Sequence, residues 1–143
     1  MVCTRFREGN GTLAAGRKLR CAIAYGSIAD SYREGQGVER DMAKSKYNAE
    51  LAAMGGHVIA RHNLGCKEGN VGNTSRAVKH WMISAAAGDD DSLTGIRECF
   101  QNGHATKDDF EKALRAHKDA KDAMKSEQRD AAATDKSFSR LRR

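Results

Sequence analysis

The stretch AYGSIADSYREGQGVERDMAKSKYNAELAAMGGH, residues 24–57, holds two alanine-rich runs separated by Gly35-Gln36-Gly37-Val38. Residues such as Ala, Glu, Lys, Arg and Leu favour helix, whereas a helical glycine costs about 1 kcal/mol relative to alanine. Gly35 and Gly37 therefore end the first run and let the chain reverse, since glycine adopts positive φ without a steric penalty. Gly56 closes the second run in the same way. The stretch reads as helix, glycine turn, helix, glycine turn.

Working outward, the same pattern recurs. Ala24, Ile28, Ala29, Tyr32 and Gly35 align with Ala60, Leu64, Gly65, Glu68 and Gly69, and again with Ser92, Ile96, Arg97, Phe100 and Gly103. In the second half of each unit, Ser45, Ala49, Ala52, Ala53 and Gly56 fall against Ala77, Trp81, Ser84, Ala85 and Gly88. The offsets are 36 residues for the first four positions, 34 at the glycine that follows them and 32 in the second half, the difference being a shortened linker of the kind that loops absorb cheaply. Period and helix content together predict an all-α chain of helix pairs, each too narrow in its apolar stripe to fold alone. Stacked pairs bury a continuous core in which small residues at 29, 65, 52, 53 and 85 admit close backbones. Ile28, Tyr32, Leu64, Trp81 and Phe100 fill the space between.

Composition supports a thin core. Of 143 residues, 39% are hydrophobic but only 6% aromatic, so the interior must be built from Ala, Leu, Ile and Met. There is no proline, and no apolar run approaches the roughly 20 residues needed to span a membrane. The four cysteines form no CxxC pair, and MVCTRFREGNG carries charge where a signal peptide would be apolar. Reduced thiols and an intracellular location, cytoplasmic or nuclear, are expected. The net charge of +6 sits at the ends: residues 21–106 carry nine Lys/Arg against ten acids. A nucleic-acid partner is therefore not favoured.

The run Ala24-x3-Ile28-Ala29-x2-Tyr32-x2-Gly35-x-Gly37-Val38-x2-Asp41, followed by Lys44-Ser45 and Ala52-Ala53-x2-Gly56, resembles the Sel-one-like repeat, a relative of the tetratricopeptide repeat. LAAMGGHVIARHNLG is similar to the junction between two such repeats in repeat proteins of diatoms and other protists. The second unit departs from the pattern, with Glu68 and GNVGN in place of the tyrosine and the Gly-Val-Asp linker; the third is degenerate. The resemblance implies an α/α superhelix of about three antiparallel helix pairs that binds or scaffolds proteins, without catalysis. It also implies that the chain can be part of a longer array. The expected divisions are a basic leader at 1–20, pairs at 21–57 and 58–89, a degenerate third unit at 90–125, and a disordered charged tail at 126–143.

The third unit ends in a long helix. Thr106 is its expected N-cap, with acids at 108, 109 and 111 favourable near the positive end of the helix dipole. Phe110, Ala113, Leu114, His117, Ala120 and Met124 mark one apolar face, as a cap of a repeat stack requires.

No arrangement of chemical groups in the sequence rises to a catalytic or metal site. His62 and Cys66 are one helical turn apart, yet no second His/Cys pair completes a zinc set. GCKEGNVGN lacks the Gly-Lys-Ser/Thr ending and the preceding strand of a phosphate loop, and Asp89-Asp90-Asp91 lacks the alternation of a calcium loop. No cofactor and no enzymatic activity are expected.

The first helices of successive units line the inner curve in stacks of this kind. About the aliphatic of each unit, the face beside the packed stripe offers Asp30 and Arg33, then His62 and Cys66, then Thr94, Glu98 and Gln101. This mixed-charge surface suits a protein or peptide segment. Two other roles stay open: the substrate-recruiting part of a ubiquitin ligase whose RING module lies outside this chain, and weak nucleic-acid binding through RKLR and SRLRR at the basic ends.

Overall fold

The computed structural model describes residues 12–141, which form six α-helices and no strand. They are α1 (Thr12–Glu34), α2 (Met42–Met54), α3 (Val58–Asn70), α4 (Thr74–Ala86), α5 (Asp90–Gln101) and α6 (Lys107–Leu141). Each helix packs on its neighbour in the chain from α1 to α5, and α6 lies across α4 and α5. None of the described helices is long and apolar enough to cross a membrane.

The helix boundaries follow from local chemistry. Asp41 accepts from the amides of Ala43 and Lys44 to start α2, His57 Nδ1 accepts from Ala60 N to start α3, and Asp89 accepts from Ser92 N to start α5. Thr106 Oγ1 accepts from Asp109 N at 3.1 Å, as the sequence predicts for α6. The chain reverses at Gly35 and Gly37, both at φ 72°, and at Gly56 and Gly88, both at φ 97°. The sequence assigns these four to turns; Gly69, which it aligns with Gly35, lies instead within α3, and the chain turns at Gly72, at φ 87°.

The core is divided in two. Ala29, Ala49, Ala52, Ala53, Ala60 and Leu64 cluster with Tyr25, and Ala85, Leu93, Ile96 and Ala113 cluster with Trp81, Met82 and Phe110. The first is nearly all methyl groups, worth about 0.8 kcal/mol per buried carbon, whereas each large side chain of the second is worth about 1.5–3 kcal/mol. Helices in the first cluster compensate by approaching closely. A Cβ on Gly55 would stand 2.6 Å from the Cβ of Ala22.

Four expectations need correction. Ile28 does not fill the core: it is 40% exposed, whereas its counterparts Leu64 and Ile96 are buried against the preceding helix pair. No pair precedes α1 among the described residues, and the seam of α1 with α2 is lined by Ala22, Tyr25 and Ala29 instead. Second, α1 begins at Thr12, so residues 12–20 of the expected leader are helical; residues 1–11 lie outside the described residues. Third, α6 runs to Leu141 although every residue from Asp122 onward in it is exposed. Alanine-rich sequence sustains helix there without burial. Arg142 and Arg143 lie outside the described residues. The thiols also differ from expectation, since Cys21 is disulfide-bonded while Cys66 and Cys99 are free.

The face expected on α6 is used over its first half. Phe110 stacks on Phe100 with centroids 5.2 Å apart, and Ala113 is buried. His117 Nε2 stands 2.7 Å from Asp90 Oδ1, with Lys121 Nζ at 3.3 Å, which fastens α6 to the start of α5.

Gly56→Val should lower the melting temperature, because a β-branched side chain at φ 97° costs about 1–3 kcal/mol. Gly16→Ala, in the open interior of α1, should leave it unchanged or raise it, by up to about 1 kcal/mol in stability. Thermal melts followed by circular dichroism check both; equal shifts would contradict the assigned turn.

Candidate functional site

A concavity lies where α1 and α3 diverge above α2. It is a groove of about 240 Å³. Small side chains form its floor, from Ala29, Ser45, Ala49 and Ala60, and Ser45 Oγ is satisfied by donating to the Ala29 carbonyl at 2.8 Å. Asp30 and Arg33 of α1 stand on one rim, and Ile59, Asn63 and Lys67 of α3 on the other. His57 closes one end, its ring set against Gly26, where an added Cβ would lie 3.3 Å from Cε1.

The seven residues predicted from sequence fall into three settings. Asp30 and Arg33 are exposed, joined by a 3.1 Å ion pair, and Arg33 also meets Glu34 at 3.0 Å. Such exposed pairs contribute at most about 1 kcal/mol and can exchange for a ligand's charge. His62 and Cys66 are half-buried between α3 and α5. Thr94, Glu98 and Gln101 are exposed on α5, and among the described residues no hydrogen bond or ion pair links them to the other four.

His62 sits at a joint. Its Nδ1 is 2.7 Å from Ser92 Oγ and 3.4 Å from Asp89 Oδ2, while Nε2 is 3.4 Å from Cys66 Sγ. The sequence ties no such thiol–imidazole–carboxylate line together, because Asp89 stands 27 positions after His62, as the cap of α5. Asp89 Oδ2 already accepts from Ser92 N as the cap of α5, and Ser92 is fully buried. The line therefore fixes the ring's orientation and pins α3 to the start of α5. No group of three or more His, Cys, Asp or Glu side chains among the described residues could hold a metal ion.

Sequence reasoning missed Ile59, Asn63 and Lys67. The positions beside the packed stripe that the sequence offers, Asp30, Arg33, His62 and Cys66, lie on faces turned toward the following pair, while a groove between pairs needs the opposite face of the next first helix as well. The signal was present: 59, 63 and 67 share one helical face by four-residue spacing. His57 was missed because histidine is an uncommon N-cap.

No family model, curated protein or solved structure matches the chain.

Behind the groove, Arg61 reaches from α3 to the Ala53 carbonyl at 3.2 Å and to His80 Nδ1 at 3.4 Å. Burial, and then the charge of Arg61, hold His80 below the ordinary histidine value of 6.5. The unfolded chain thus takes up this proton first as pH falls. The stability that neutral His80 confers is complete above about pH 7 and declines as pH drops through the ordinary histidine range. It levels off below the folded-state value. Urea midpoints at pH 7.5 and 5.0 should differ less for His80→Gln than for the wild type; an unchanged difference would remove His80 as the source.

Proposed function

We propose that the chain is a non-catalytic protein-interaction scaffold of the Sel-one-like type, its helix pairs stacked as a short superhelix that holds a protein segment along the first helices. The observation that carries this reading is the groove between α1 and α3. It joins an apolar floor of small side chains to a rim with charges of both signs, the combination by which a peptide is gripped through side-chain insertion and oriented by polar contacts. The packing of each helix on its chain neighbour from α1 to α5 is compatible with a repeat stack. The surface is small, so affinity should be modest, about micromolar.

The test uses the full chain as bait. A partner isolated with the wild type is titrated against Arg33→Glu, Glu98→Lys and the double variant, with circular dichroism confirming that the helices persist. Each reversal should weaken binding several-fold, up to about tenfold, as loss of exposed charge pairs does. Unchanged affinity in all three would move the interface to the second helices or to α6.

A further inference from the structure

The two joints between successive helix pairs can be superposed residue by residue, and one lacks what the other contains. Positions 32 apart do the same work in both: Gly56 and Gly88 turn the chain at the same φ of 97°, and His57 and Asp89 cap the next helix through the amides of Ala60 and Ser92. In the second joint the space between α3, α4 and α5 is filled by the indole of Trp81. A Cβ on Gly65 would stand 2.5 Å from its Nε1, and one on Gly95 3.1 Å from its ring. The indole N–H donates to the His62 carbonyl at 3.2 Å.

The counterpart of Trp81 in the first joint is Ala49. Those of Gly65 and Gly95 are Ala29 and Asn63, both of which line the groove. The groove is thus the Trp81 niche without its ring. We infer that it takes an aromatic side chain from a partner peptide, with an acidic residue beside that ring reaching Lys67; this rests on the scaffold reading above. The Ala29 methyl occupies the innermost place, so the guest ring lies shallower than Trp81, over the methyls of Ala49 and Ala60. Ile59, 63% exposed, flanks it with apolar surface. The Arg33 guanidinium stands at the rim, where cations attract aromatic faces.

Charge selects the neighbour of the ring. Arg33 is already engaged by Asp30 and Glu34, whereas Lys67 makes no ion pair among the described residues. A carboxylate on the peptide satisfies it. A phosphate backbone suits the site less well, because it would run past the Asp30 carboxylate on the facing rim.

The experiment titrates the ¹⁵N-labelled full chain with acetyl-Asp-Trp-Glu-amide and, in parallel, acetyl-Asp-Ala-Glu-amide, following amide shifts. The tryptophan peptide should move Gly26, Ala49 and Asn63 in a saturable way, and the alanine peptide should bind at least about tenfold more weakly. Ala29→Gly with Ala49→Trp and Asn63→Gly rebuilds the second niche in the first joint, and should abolish the shift at Gly26 while the helical spectrum is retained. Lys67→Glu, which leaves the core untouched, should weaken the tryptophan peptide several-fold and provides the check should the triple variant not fold. Equal binding of the two peptides, or shifts confined to Thr94, Glu98 and Gln101, overturns the aromatic site while leaving segment binding on the first helices standing. No shift with either peptide also overturns the aromatic site, and the Arg33 and Glu98 titrations then decide the scaffold reading independently.

Discussion

Close approach of helix backbones is the constraint on which this molecule depends. With few large apolar residues available, α1 and α2 can exclude water only by bringing main chains together, and Gly55 lies so near Ala22 that a single methyl group would collide. The same rule operates where a large residue is present. Trp81 is accommodated because Gly65 and Gly95 leave room for its ring, so one indole seals three helices at once. Serines complete the seam. Ser45, Ser84 and Ser92 are almost wholly buried, and each hydroxyl has a hydrogen-bond partner, which makes a small polar residue nearly as acceptable there as alanine.

From that constraint the candidate site follows. Where the seam contains only methyl groups, the first helices of adjacent pairs cannot meet over it, and a groove remains between them. Where it contains Trp81, the gap is closed. The groove between α1 and α3 is thus a consequence of which unit received the large side chain. The charged rim belongs to helix faces that core packing leaves free.

Helix ends and turns were the most legible features of the sequence, because capping groups and glycines act within a few residues: Gly35, Gly37, Gly56, Gly88 and Thr106 all hold the positions that local chemistry gives them. Interiors were legible where neighbours on both sides were implied, as for Leu64 and Ile96. Ile28 was misread because its burial depends on a helix pair that would precede α1, which no local signal supplies. The candidate site was only half legible. Asp30 and Arg33 are on it, but Asn63 and Lys67 come from the facing helix, and which face turns toward a neighbour is decided by packing. The half-burial of His62 likewise involves Ser92, thirty positions after it. The extension of α6 to Leu141 is not legible in the charge of the tail, because helix there rests on alanine propensity and not on burial.

The imidazoles at the two joints carry an implication for modularity. In the first joint the ring comes from the capping residue of the later unit, His57, and the earlier unit offers Gly26 to receive it. In the second the roles are exchanged: the earlier unit supplies His62, and the later one offers the smaller Asp89. Each joint accepts one ring. Units spliced in another order would bring His62 against a histidine cap, with two rings competing for one space, or Gly26 against an aspartate cap, with none to fill it. Shuffling is therefore restricted although the units share a pattern, and the order of the pairs is written into their contacts as firmly as into the covalent chain.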